Sequence, residues 1–211
     1  MSRSISRRSF AGLTAGFVVG SAADLKAADD KPKAEPPKAP GRPTEAAFDR
    51  DYPPPGFKPS WKKQQINRLL VQDFVVYGHS DLAMMKKLLG KEPALLNATM
   101  DWGGGDWETA LGGASHMGRR DIAEFLLEKG ARIDIFCAAM MGQLDAVKAF
   151  LALQPRLIDA KGPHGFTLHF HAQVGGKEAE KVLDHLQSVK KLELKPVPFL
   201  KTPADPPAKK P

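Results

Sequence analysis

The sequence predicts an all-α protein, a helical solenoid of about four irregular repeats with disordered or extended Pro-rich ends. Two observations carry this prediction. A short motif with helical periodicity recurs along the middle of the chain, and Pro-rich stretches lie on either side of it. Repeated Pro blocks helices and sheet ladders alike, whereas a recurring amphipathic helix indicates stacked units.

Each copy of the motif has a small residue or Gly, then Asp or Glu, then an apolar helix. In the second copy, Ile122, Phe125 and Leu126 follow Gly118 at the spacing of one helix face. One such helix cannot bury its apolar face alone, but stacked copies can. The copies are residues 80–89, 118–127, 142–151 and 175–183.

Residues 109–118, TALGGASHMG, resemble the TPLHxAAxxG pattern of the ankyrin-repeat family, with Ala110 in place of Pro and Gly112 in place of His. Residues 125–134 are similar to the LLLxxGADIN ending of that pattern, and residues 165–172 match it more weakly. The resemblance covers roughly residues 66–187. It implies an ankyrin-type solenoid that binds a protein partner through its finger tips and its concave first-helix face.

The repeat lengths depart from the family in two places. Gly118 and Gly142 are 24 residues apart, against about 33 in an ankyrin repeat. The third repeat should therefore have almost no β-hairpin finger, and Asp134 should lead directly into its first helix. Ser80 and Gly118 are 38 residues apart, which predicts an enlarged finger over residues 97–108.

The N-terminus resembles a twin-arginine export signal, because Arg7-Arg8-Ser9-Phe10 precedes a short Gly- and Ala-rich apolar stretch. That stretch is too short for a stable membrane anchor. We therefore expect a periplasmic or secreted protein. Its predicted parts are a signal peptide (1–28), a Pro/Lys-rich linker (29–60), the ankyrin-repeat domain (61–187) and a Pro/Lys-rich tail (188–211). The apolar patch at 197–200 either folds back over the last repeat or stays free.

The net charge of +7 lies at the two ends, while residues 61–187 carry equal numbers of cationic and anionic side chains. A nucleic-acid partner is disfavoured, because such a partner needs a basic face on the folded part. Cys137 is the one cysteine of the chain, so no internal disulfide can form. We expect it to be a small buried residue.

The enlarged finger is the main candidate for contact with a partner. Two Trp flank three Gly there, and Trp gives a large contact area. The alternative is that both Trp pack on neighbouring repeats. Asp101 and Asp106 lack the dense oxygen set of a calcium loop. With the concave face, the predicted partner-binding residues are Trp102, Asp106, Trp107, Glu108, His116, Met117, Met140, Met141 and His171.

His164, His169 and His171 cluster in the last repeat, but not at the spacing typical of metal ligands. We expect structural histidines, no metal, no cofactor and no catalytic residue. The predicted function is a non-catalytic protein–protein interaction module, a monomer whose partner the sequence does not identify. The alternative is an accessory or chaperone for an exported redox or metal enzyme, or a metal-binding protein using these last-repeat histidines.

Overall fold

A computed structural model of the protein describes residues 45–60, 62–197 and 199. The predicted signal peptide and the first half of the predicted linker lie outside these residues. The described part is mostly helical, with eight α-helices and one two-stranded sheet. None of these helices is long and apolar enough to cross a membrane.

The helices follow one another in pairs joined by tight turns. The first helices of the pairs pack side by side in the order α1, α3, α5, α7, and among the second helices α2 contacts α4 and α6 contacts α8. The pairs are α1 (Arg68–Gly78) with α2 (Leu82–Lys91), α3 (Ala110–His116) with α4 (Arg120–Glu128), α5 (Ile135–Met140) with α6 (Leu144–Leu153), and α7 (Leu168–Val174) with α8 (Glu180–Val189).

The core lies between these helices in two adjoining clusters. Small residues of the first helices are fully buried, including Ala114 and Ala138, so neighbouring pairs approach closely. The larger buried side chains fill the space between first and second helices. They are Phe74, Met85, Leu95, Ile122, Leu126 and Met140 in one cluster, and Val147, Leu168, Val182 and Leu186 in the other.

The predicted enlarged finger is confirmed as a β-hairpin. Strands β1 (Thr99–Asp101) and β2 (Trp107–Thr109) pair antiparallel, and the three glycines at the tip all have positive φ. The Asp101 carboxylate holds the tip by accepting hydrogen bonds from the Gly103 and Gly105 amides. Between α4 and α5 there is no such hairpin: Asp134 caps α5 directly, as its position in the sequence predicted.

A second, smaller finger precedes α7. An isolated bridge joins Lys161 to Thr167, and a 3-10 turn, Pro163–Gly165, forms its tip. His164 in this turn has φ 57°, in the left-handed region that non-glycine residues seldom adopt. Such a conformation persists only where neighbouring groups hold it.

The chain after α8 folds back over the last repeat, which answers the open question about this segment as far as residue 197. The His169 ring contacts the Lys190 carbonyl at 2.9 Å, and the Gln173 amide donates to the Lys195 carbonyl at 3.1 Å. Val197 packs against the first core cluster. The rest of the tail lies outside the described residues, apart from Phe199.

The turns between paired helices explain why glycine recurs in the motif. Gly142 has φ +74°, and a Cβ there would lie 2.1 Å from the Glu178 carbonyl oxygen.

We predict that Gly142→Ala lowers the free energy of unfolding by about 2–4 kcal/mol, from backbone strain plus the clash. Gly130→Ala is the matched control, since Gly130 has φ +88° but open space around it, and should cost only about 1 kcal/mol. Urea unfolding measures both, and equal losses would contradict the close packing of this turn.

Candidate metal centre

Four side chains from three separate parts of the sequence meet beside the enlarged finger. His79 follows α1, Glu108 lies in β2, His116 ends α3, and His164 sits at the tip of the smaller finger. Each offers one ligand atom, and these atoms all lie within 4.8 Å of one another. We call these four residues the His/Glu cluster.

The ring of His79 is held in one orientation by the backbone of its own helix. Its Nδ1 lies 3.0 Å from the Val75 carbonyl oxygen. A carbonyl can only accept, so Nδ1 carries the proton and donates it there. The Nε2 atom then has a free lone pair when the ring is neutral, and it lies 3.3 Å from Glu108 Oε2.

Asp106 fixes His164 in the same way. One Asp106 oxygen accepts from the backbone amide of His164 at 2.9 Å, and the other accepts from the ring Nδ1 at 2.8 Å. This bidentate contact stabilises the left-handed backbone of His164. It also leaves Nε2 unprotonated in the neutral ring, 3.6 Å from Glu108 Oε2.

His116 and Glu108 contain the atoms whose bonding is incomplete. His116 Nδ1 lies 3.0 Å from Glu108 Oε1, yet the two groups are not aligned for a hydrogen bond. Both atoms are buried and have no hydrogen-bond partner among the described residues. A buried polar atom without a partner costs about 1–3 kcal/mol, so this pair calls for an explanation.

Glu108 stands at the middle of the cluster with its side chain 0% exposed. Its Oε2 accepts a hydrogen bond of 2.8 Å from the Trp102 indole. Burial alone would raise the pKa of this carboxyl, but the close contacts of His116 and His79 outweigh it and lower the pKa to about 2. Burial likewise opposes protonation of His79, and the contact with Glu108 together with the backbone carbonyls raises its pKa. The carboxylate is therefore ionised, in a place where an ion needs a counter-charge.

Two adjacent glycines of α3 make room for the cluster. A Cβ on Gly113 would come within 2.7 Å of the His79 ring, and one on Gly112 within 3.3 Å of Glu108 Cγ. Glycine inside a helix costs about 1 kcal/mol relative to alanine. The Gly112-Gly113 pair therefore lowers the intrinsic stability of α3, but it leaves the space in which the imidazole and the carboxylate lie against this helix.

The arrangement matches the chemistry of a divalent transition metal. Three imidazole nitrogens and one carboxylate oxygen form a ligand set typical of zinc and its neighbours, whereas calcium and magnesium prefer oxygen alone. A tetrahedral site with bonds of about 2.0–2.1 Å separates its ligand atoms by about 3.4 Å. The imidazole nitrogens lie at similar distances from Glu108, 3.0 Å from Oε1 for His116 and 3.3 and 3.6 Å from Oε2 for His79 and His164, and all four ligand atoms lie within 4.8 Å of one another.

Several residues that the sequence predicted as partner contacts lie in the interior. Glu108, His116, Met140 and His171 are buried, because they face neighbouring helices rather than an open concave surface, so they have no exposed surface to offer a partner. Met117, Met141 and Asp106 are half-buried. The side chains that remain available are Trp102, 42% exposed, and Trp107, 60% exposed.

The expectation of no metal site rested on spacing along the chain, which carries no information about the His/Glu cluster because its members come together only in the fold. Of the three last-repeat histidines only His164 joins the cluster; His169 and His171 are buried in α7, and burial lowers the pKa of His171 to about 4. His79 follows α1, far from the other histidines in the sequence, so no sequence motif connects it with them. The available signal was the pair Gly112-Gly113, which opens space inside a helix and of which Gly112 replaces the His of the ankyrin pattern.

Comparison of the chain with family models, with curated proteins and with solved structures found no match.

Acid titration should reveal the buried carboxylate. The pKa of Glu108 is lowered from 4.5 to about 2, so its contribution to stability is present above pH 4.5 and is lost as the pH falls from about 4.5 to about 2. The shift corresponds to roughly 3 kcal/mol. We predict that metal-free Glu108→Gln is less stable than wild type at pH 6, and that the difference shrinks below pH 4.

Unfolding in urea across pH 2–6 measures this difference. Glu124→Gln, on the exposed side of α4, is the matched control. A difference between wild type and Glu108→Gln that stays constant with pH would argue that the carboxylate is not held ionised.

Proposed function

We propose that this protein binds one divalent transition-metal ion, with zinc the best fit, through His79, Glu108, His116 and His164. The observation that carries the proposal is a fully buried carboxylate oxygen and a buried imidazole nitrogen, 3.0 Å apart, neither of which has a hydrogen-bond partner in the described part of the chain. A cation between them would satisfy both.

A hydrogen-bonded network without metal is the competing account. Protonated His79 could neutralise Glu108, which agrees with the raised pKa of His79. In that account Glu108 Oε1 and His116 Nδ1 lie 3.0 Å apart as an ion pair without an aligned hydrogen bond, and His164 Nε2 reaches Glu108 Oε2 at 3.6 Å, too far for a hydrogen bond. A bound metal would account for the orientation of all three imidazole rings. Protons and metal compete for the same nitrogens, so both states belong to one equilibrium.

The scaffold around the centre is proposed to be an ankyrin-type solenoid. The support is the row of packed first helices and the alternation of helix pairs with fingers. The four ligands come from the first, second and last helix pairs and their fingers, so a bound ion would join parts of the chain that otherwise contact mainly their neighbours. A solenoid of four irregular units is close to the minimum for independent stability, and the metal would add to it.

We propose that the protein acts by binding rather than catalysis. A cavity of about 310 Å³ lies beside the centre, but none of the four cluster residues lines it. Export by the twin-arginine route, suggested by Arg7 and Arg8, is consistent with a metal protein, because that route moves chains already folded. A metal loaded before export would then reach the periplasm or the cell exterior inside its site.

Metal titration tests the proposal directly. We predict that purified metal-free protein takes up one equivalent of Zn²⁺, with a rise in melting temperature, and that Co²⁺ in its place gives the intense visible absorption of a tetrahedral site. His116→Asn should bind at least tenfold more weakly, since it removes one ligand. Calorimetry and visible spectroscopy measure these effects.

Two further variants sharpen that experiment. His185→Asn removes a histidine on α8 outside the cluster and should bind like wild type. Gly113→Ala keeps all four ligands, but its Cβ would displace the His79 ring, so it should weaken binding as well. If wild type took up no metal, or if His116→Asn and His185→Asn bound it equally, the proposal would be wrong.

A second candidate function is the protein–protein interaction expected from the sequence, now confined to the finger. Trp107 exposes 60% of its surface on a hairpin that the His/Glu cluster anchors at its base. Exposed Trp on a rigid hairpin is typical of contact surfaces. We propose that a protein partner binds here and not on the buried concave residues.

If this second function is correct, residues 29–211 should capture a protein partner from periplasmic extract. The Trp107→Ala variant of the same segment should not capture that partner. Leu153→Ala is the control, because Leu153 is another exposed apolar side chain, 84% exposed, at the end of α6. Capture that survives Trp107→Ala, with both variants folded by circular dichroism, would exclude the finger tip as the contact.

A further inference from the structure

The enlarged finger supplies more than Glu108 to the His/Glu cluster. Asp106, just before β2, holds both the backbone and the ring of His164. Trp102, just after β1, donates its indole N–H to Glu108 Oε2 at 2.8 Å. Two ligands therefore depend on finger side chains that are not ligands themselves.

Trp102 also covers the cluster. Its ring packs edge-on against two imidazoles, with centroid-to-centroid distances of 5.2 Å to His164 and 5.9 Å to His79. These two imidazoles are the partly exposed members of the set, 29% and 20% exposed, while Glu108 and His116 are enclosed. The indole thus lies beside the side of the centre that would otherwise face water.

The contact between the two fingers rests largely on Asp106. Nothing lies within 4 Å of a Cβ built on any of the three glycines at the tip, so packing does not hold the tip in place. Asp101 shapes the tip from within through the Gly103 and Gly105 amides. Within the part of the chain that the structure describes, Asp106 is the one hairpin residue with hydrogen bonds to His164, 58 residues further along the chain.

We infer that the enlarged finger forms the outer wall of the metal centre, with Asp106 and Trp102 as its positioning residues. Asp106 presents His164 Nε2 to the metal, and Trp102 orients the Glu108 carboxylate and shields the ion from water. This inference rests on the proposed metal binding. The metal and the closed finger stabilise each other, because each fixes the same two ligands.

The chemical reason lies in the two oxygens of Asp106. They accept two N–H groups of His164 at once, which sets both the ring tautomer and the backbone. An asparagine has one oxygen to accept with, and its NH₂ group would face one of these donors. Asp106→Asn therefore preserves size but loses one of the two hydrogen bonds.

The experiment measures Zn²⁺ affinity of the full-length protein by competition with a chelating dye, for wild type, Asp106→Asn and Asp101→Asn. Asp101 uses one oxygen for both of its amide contacts, so asparagine can replace it, and its affinity should match wild type. Asp106→Asn should bind about 10–100-fold more weakly. Urea unfolding of the same metal-free proteins is measured as well. It distinguishes a loss of Zn²⁺ affinity from a general loss of stability.

A spectroscopic arm tests Trp102 and the closed finger. Co²⁺ should quench part of the tryptophan fluorescence of wild type, because Trp102 lies against two ligand rings. Trp102→Phe should lose that quenching and bind Zn²⁺ more weakly, since phenylalanine keeps a ring but has no N–H. Co²⁺-loaded Asp106→Asn should show an altered visible spectrum, which a purely structural effect of the substitution would not produce.

The outcomes separate the two proposals. The inference would be overturned if wild type took up the metal but Asp106→Asn and Asp101→Asn bound Zn²⁺ with equal affinity and gave identical cobalt spectra. The proposed metal site would still stand. Trp107 also lies near the centre, so only quenching in Trp102→Phe as strong as in wild type would exclude the Trp102 indole from the wall of the site. If wild type bound no metal, the proposed function would fail, and the inference with it.

Discussion

The burial of the Glu108 carboxylate is the constraint on which this part of the structure depends. An ionised group with no exposure to water must find donors or a cation, and the surrounding fold supplies one indole N–H and three imidazoles. Glu108 belongs to the finger, whereas His79 and His116 belong to the helix row. The charge therefore fixes how the finger sits on the helices, and the pair Gly112-Gly113 leaves the room for it.

The same constraint connects scaffold and function. Helix pairs that contact mainly their neighbours are a loosely coupled structure, so long-range contacts carry particular weight. The contact of Asp106 with His164 is one of these, since it joins two fingers that belong to different helix pairs. A metal at the centre would strengthen this connection. It would also give the finger a defined shape from which Trp107 projects.

Much of the architecture was predictable, because local rules decide it. The period of Ile122, Phe125 and Leu126 requires one buried helix face, and Asp134 marks the start of α5 because its side chain accepts from the Cys137 amide. The 38-residue interval before Gly118 leaves space for a hairpin, and a hairpin fills it. Each of these follows from a few consecutive residues or from a simple count.

The site was not predictable in this way, because it depends on where stacking places separate repeats. Metal motifs read from sequence need ligands on one helix or one loop, whereas His79 and His164 are 85 positions apart in numbering. They meet only because the end of α1 and the smaller finger before α7 both lie against α3. By itself the sequence determined the helices, the enlarged finger and the charge-neutral middle of the chain. The tertiary structure alone decided that Glu108 and His116 turn inward to face two distant imidazoles, since side-chain burial is a property of the packed helices and not of any one segment of the sequence.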